Sequence, residues 1–83
     1  MTRKEFIELL SRMDVDDSYT LAYIDFDMDF DTGWANFIKN EQTTKDEDGV
    51  SYYEFDLKEV VFDIKACKII ETNVSHEKDY LAL

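Results

Sequence analysis

Four aspartates stand at alternate positions in Ile24-Asp25-Phe26-Asp27-Met28-Asp29-Phe30-Asp31. In an extended backbone, side chains at i and i+2 share a face, so Asp25, Asp27, Asp29 and Asp31 would form a row of carboxylates about 6.6–6.8 Å apart. Neighbours at that spacing repel by roughly 0.6 kcal/mol even in the dielectric of water, partly screened by salt. Aspartate is also a poor strand former. Local propensity and electrostatics both oppose the arrangement, and breaches of local rules concentrate at functional positions. The surroundings are as acidic: between Arg12 and Lys39 lie seven acidic residues and no basic one. A second cluster, Asp46, Glu47 and Asp48, is followed by Glu54 and Asp56, and would approach the first if the two segments pair as strands.

Such a row allows several chemistries. It can imitate a nucleic-acid backbone and enter a basic groove of a partner. One DNA strand carries a charge every 3.4 Å, so the row alone supplies about half that density and the second cluster must add to it. Tyr23, Tyr52, Tyr53 and Trp34 are candidate aromatic anchors beside it, although strand and core tyrosines are common for structural reasons alone. The row can instead be a solvated face that confers solubility and discourages edge pairing. Metal binding is the third option, because Asp25-x-Asp27-x-Asp29 opens like an EF-hand loop. Started at Asp25, the sixth and twelfth positions are Phe30 and Asn36; started at Asp27, they are Thr32 and Ile38. Neither frame offers the required glycine and glutamate, which leaves at most a weak divalent-cation site, and no metal or cofactor is assigned.

Catalysis finds little support. Asp25-x-Asp27 after an apolar run is similar to the strand-end aspartates of haloacid-dehalogenase-type phosphotransferases. However, Asp29 stands where threonine or valine is expected, and 83 residues are too few for the parallel sheet those enzymes need. With only Gly33 and Gly49 there is no phosphate-binding glycine loop. His76 reads as a surface residue, and Cys67 as a small apolar group rather than a nucleophile. The chain is not expected to be an enzyme.

The elements that would position these residues follow from the hydrophobic pattern. Thr2 and Glu5 have capping-box spacing, and Phe6, Ile7, Leu9, Leu10 and Met13 continue at helical spacing. Asp14, Asp16 and Asp17 mark a turn. Residues 19–30 alternate as a long strand, with Ala22, Ile24, Phe26, Met28 and Phe30 on its apolar face. Residues 33–40 predict a short helix with Trp34, Phe37 and Ile38 inward, and 41–49 a polar loop ending in the Asp48-Gly49 turn signal. A second strand covers 50–55. Residues 57–70 fit either a strand or a helix, with β-branched and aromatic enrichment leaning towards strand. Tyr80, Leu81 and Leu83 are read as a short edge strand or a frayed tail. The sum is α+β, one domain over residues 1–83: an N-terminal helix packed on a three- to four-stranded antiparallel sheet.

Composition narrows the setting. Twenty acidic against nine basic residues give a net charge of −11, which disfavours binding to nucleic acids or anionic membranes. Apolar residues at 45% and aromatics at 14% exceed what a disordered, highly charged chain carries. Cys67 is the only cysteine, so a reducing interior is expected. The opening residues show no signal-peptide pattern, and uncharged runs such as Ser18 to Ile24 are far below a membrane span of roughly 20 residues. In size, charge and cytosolic character the whole chain resembles the small acidic inhibitors that phages direct against host defence, the anti-CRISPR and anti-restriction proteins. It also resembles the acidic immunity proteins that neutralise bacterial nuclease toxins. No motif carries this resemblance, so no residue role transfers with it. The resemblance implies a cytoplasmic inhibitor whose partner is a basic, nucleic-acid-handling enzyme or complex. Asp25, Asp27, Asp29, Asp31, Asp46, Glu47, Asp48, Tyr23 and Trp34 are the candidate contacts on the sequence reading. An acidic interaction module without mimicry is the alternative, and a monomer or a homodimer is compatible with either.

Overall fold

The capping box forms as the sequence dictates. Thr2 Oγ1 accepts from the Glu5 amide at 3.2 Å and Glu5 Oε1 accepts from the Thr2 amide at 2.9 Å, opening α1 (Arg3–Arg12). The computed structural model describes residues 1–81, in which α1 is followed by four strands: β1 (Thr20–Asp27), β2 (Thr32–Lys45), β3 (Ser51–Asp63) and β4 (Lys68–Tyr80). Each strand pairs antiparallel with the next, so the sheet order is β1-β2-β3-β4, an α+β arrangement. The acidic turn after α1 is held by Asp16, whose Oδ1 accepts from the Ser18 amide at 2.8 Å.

The strand assignments differ from expectation in several places. The long strand over 19–30 stops at Asp27, and residues 28–31 form the β1–β2 turn. Aspartate explains the stop, because its carboxylate competes for backbone amides. Asp27 Oδ1 accepts from the Asp29 amide at 3.1 Å, and Asp31 takes the left-handed conformation (φ 51°) that aspartate tolerates better than most residues. Met28 and Phe30, expected on the apolar face, are instead 69% and 77% exposed in this turn. The predicted helix over 33–40 and much of the predicted loop over 41–49 belong to β2. Apolar residues stand on both faces of β2, Ala35 and Phe37 towards the cluster and Trp34 and Ile38 on the other side, so they lose the period of two and mimic helical spacing. Residues 57–70, read as one element, contain the end of β3, the turn at 64–67 and the start of β4. Of the tail, Tyr80 ends β4, an edge strand that begins at Lys68, and Leu81 follows it without regular structure; Leu83 lies outside the described residues.

One hydrophobic cluster joins Leu9 and Met13 of α1 to Ala35, Val60, Phe62 and Ile64, with Phe6, Ile24 and Phe37 partly buried against it. Phe62 is its centre: its ring meets Phe6 of α1 and Phe26 of β1 edge-on, with centroids 6.5 and 6.1 Å away. Gly33, opposite Phe62 in the register, is required there because a methyl group at that position would collide with the ring. Arg12 Nη2 donates to the Cys67 carbonyl at 2.8 Å, tying the end of α1 to the β3–β4 turn.

The molecule measures 49 × 29 × 19 Å, and its core occupies one end. Beyond a bulge between Lys39 and Gln42, β2, β3 and β4 continue as a three-stranded arm in which no residue of 39–45, 51–56 or 75–80 is buried. No helix among the described residues is long and apolar enough to cross a membrane.

Candidate functional site

Directly opposed residues in an antiparallel pair share a face. The register therefore sorts the cored end of the sheet into two faces. Ile24, Ala35 and Val60 stand in one row and Phe26, Gly33 and Phe62 in the next, the face whose apolar residues join the cluster with Leu9. The intervening rows belong to the opposite face: Tyr23, Asn36 and Glu59, continued by Asn73; Asp25, Trp34 and Val61, continued by Glu71; and Asp27, Thr32 and Asp63, continued by Lys68. A shallow cleft on this open face is lined by Tyr23, Asp25, Trp34, Asn36 and Glu59.

Asp25 Oδ1 accepts from the Phe26 amide at 3.0 Å, and Glu59 Oε1 accepts from Asn73 Nδ2 at 3.4 Å. Neither carboxylate has a lysine or arginine within salt-bridge distance; the ion pairs among the described residues all lie elsewhere. Tyr23 is 59% exposed at the rim. Asn36 is 2% exposed and is the one buried polar side chain among the described residues. Its Oδ1 takes no hydrogen bond. The face can therefore offer uncompensated negative charge beside aromatic surface, which suits a cationic partner.

The expected four-carboxylate ladder is not formed. Asp25 and Asp27 lie on β1 and share the open face, whereas Asp29 and Asp31 lie in the turn. Asp31 Oδ2 is 3.3 Å from Lys65 Nζ, and the Asp31 carbonyl accepts from the Ile64 amide at 2.8 Å, so this aspartate works within its own fold. The second cluster does not approach the first. Asp46, Glu47 and Asp48 cap the far end of the β2–β3 hairpin, just past Lys45, which is eleven residues along β2 from Trp34, about 36 Å at strand rise. Asp46 is also committed internally: Oδ1 accepts from the Asp48 and Val50 amides at 3.0 and 2.9 Å, and Oδ2 from the Tyr52 hydroxyl at 3.2 Å. Tyr23 and Trp34 are placed beside Asp25, as a contact surface needs. Asn36 and Glu59 were not singled out by the sequence. Asn36 sits in a segment with helical spacing, and only the strand register shows it opposite Tyr23 and Glu59.

A second constellation lies on the arm. His76 Nδ1 is 2.8 Å from Asp56 Oδ1 and its Nε2 is 3.1 Å from Glu54 Oε1. Asn40 Nδ2 donates to Asp56 at 2.8 Å and Thr44 Oγ1 to Glu54 at 2.5 Å. The hydrogen bonds to Asp56 and then Glu54 raise the His76 pKa above its ordinary value. Bonds from Thr44 and His76 lower that of Glu54, and bonds from His76 and Asn40 lower that of Asp56. The sequence showed only an isolated histidine there. Among the described residues no group of three histidine, cysteine, aspartate or glutamate side chains is placed to hold a metal ion. No protein-family model, no curated protein and no solved structure matches this chain.

Proposed function

We propose that the protein is a binding module that offers the open face of its sheet to a basic surface of another protein, with α1 packed on the opposite face. The observation that carries this reading is the combination on one face of Asp25, Asp27, Glu59, Asp63 and Glu71 with Tyr23 and Trp34. A net charge of −11 steers a basic partner towards any such surface, and the aromatic residues supply the desolvated contact that holds it. The half-buried thiol of Cys67 fits a reducing cytoplasm as the place of action.

The test is a pull-down at low salt eluted by a salt gradient, run beside an Asp25→Asn/Asp27→Asn/Glu59→Gln variant. Basic partners should elute as salt rises and be lost from the variant. Partners that stay bound at high salt, or that the variant captures equally, overturn the reading.

A narrower reading is inhibition of a nucleic-acid-handling enzyme by mimicry of the phosphate backbone. The carboxylates of Asp25 and Glu59, which take part in no ion pair, favour it, as a short patch in place of a ladder. Added duplex DNA or RNA would then release the partner, whereas an interaction module without mimicry keeps its partner in the presence of nucleic acid.

A further inference from the structure

We infer that the cleft between Tyr23, Asp25, Trp34, Asn36 and Glu59 is an anchor pocket for the guanidinium group of an arginine side chain from a protein partner. This rests on the open-face reading above and gives it a specific point of attachment.

The pocket holds the features that a guanidinium uses. Asn36 is almost wholly buried, and its Oδ1 is an acceptor without a donor among the described residues. Burying such an atom unpaired is unfavourable, and native chains avoid it unless something else supplies the bond. Asn36 lines the cleft, and rotation of its amide about χ2 is the movement that would present Oδ1 to a donor there. Tyr23 and Glu59 flank Asn36 on the two neighbouring strands, and Asp25 and Trp34 form the adjoining row. Two carboxylates without a lysine or arginine counterion thus line one cleft with an amide whose acceptor is unpaired and two aromatic side chains.

Charge disfavours an anion, and an apolar group would leave both carboxylates without a counterion and the Asn36 acceptor without a donor. An ammonium ion offers three donors but no flat surface. A guanidinium offers five donors in one plane, and that plane also stacks on an aromatic ring. Arginine is accordingly the cation that satisfies the acceptors and the rings together.

Trp34 is the only tryptophan, so it reports on its own pocket. The experiment titrates the intact chain with N-acetyl-arginine amide and, separately, N-acetyl-lysine amide, following Trp34 fluorescence and the Trp34 and Asn36 side-chain N–H signals by NMR. The arginine compound is expected to move these signals with a Kd at least five-fold lower than the lysine compound. Glu59→Gln, Asp25→Asn and Asn36→Leu are each expected to weaken it several-fold. Should Asn36→Leu lose the dispersed spectrum of the folded protein, the two carboxylate variants decide alone. Equal affinity for the two compounds, or shifts spread evenly to the 46–48 turn, would overturn the pocket. If neither compound binds while an oligolysine peptide still binds in a salt-dependent way, the pocket is wrong and the acidic-face reading stands. If no basic peptide binds, both fall.

Discussion

The two ends of the sheet are held together by different physics. At the end that shares its apolar cluster with α1, Phe62, Val60, Ala35 and Leu9 are fully buried, and the strands are fixed by packing that excludes water. The arm beyond the Asn40 bulge has no buried residue. Its strands are linked by ladder hydrogen bonds, the Tyr52–Tyr80 ring pair, Lys78 over Tyr52, and the network around His76. Packing is indifferent to pH and salt, whereas ionised hydrogen bonds at the surface are not. The arm should therefore open locally at lower free energy than the cored end and respond to solution conditions that leave that end unchanged. The same division applies to the acidic residues. Those near the core, Asp25 and Glu59, keep charge without an ion pair, whereas Asp46 on the arm spends its carboxylate on turning the chain.

The largest expected effect is at Phe62. Phe62→Ala removes the ring that Phe6 and Phe26 both meet, and should cost about 3–5 kcal/mol in chemical denaturation, enough to threaten folding altogether. A loss below about 1 kcal/mol would show that the cored end is not the source of stability. Gly33→Ala forces a methyl group into the same ring and should cost about 1–3 kcal/mol, with the loss spread over the cored end in hydrogen exchange. Asp46→Ala should weaken only the arm, by about 1 kcal/mol, because two amides and the Tyr52 hydroxyl lose their acceptor. Asp48→Ala, which removes no such acceptor, should fall within about 0.5 kcal/mol of the unmodified chain in the same melts.

The smallest effect is the pH dependence of the arm. His76 has a raised pKa in the folded chain, so its contribution is full below the unfolded value of about 6.5 and is lost as pH rises through the folded value. Glu54 and Asp56 have lowered values, so theirs is present above about 4.5 and is lost as pH falls. Amide protection in 51–56 and 75–80 should therefore be greatest between about pH 4.5 and 6.5, while protection around Val60 and Phe62 stays flat. His76→Ala should remove the decline on the alkaline side and reduce the one on the acid side, leaving there only what Asn40 and Thr44 contribute through Asp56 and Glu54. A decline of equal size at both ends of the sheet would contradict the division drawn here.

Much of the local architecture was legible. Thr2 and Glu5 wrote the start of α1, the Asp16 turn followed from its composition, and the alternation from Ile24 to Asp27 described a strand with an acidic side. The alternation misled at the bulge between Leu21 and Tyr23, where Ala22, expected on the apolar face, is exposed and Leu21 instead pairs with Phe37, and again past Asp27. There the pattern of apolar and acidic residues continues unbroken, yet aspartate side chains capture backbone amides and turn the chain. Hydrophobic periodicity cannot register that competition, because it depends on bonds that form only in the turn.

Trp34, Phe37 and Ile38 misled for the opposite reason: β2 carries apolar residues on both of its faces, Phe37 on one and Trp34 and Ile38 on the other, so no alternation shows. The candidate site divides in the same way. Tyr23, Asp25 and Trp34 could be named from residue type, but the roles of Asn36 and Glu59 could not. Composition and local pattern fix the charge, the cap and which residues favour extended backbone, since these depend on neighbours a few positions away. Which acidic residues share a surface, and whether an asparagine is sealed beneath it, depends on the register between distant strands. That register is set by the fit of Phe62 over Gly33 and by bulges that no single segment encodes.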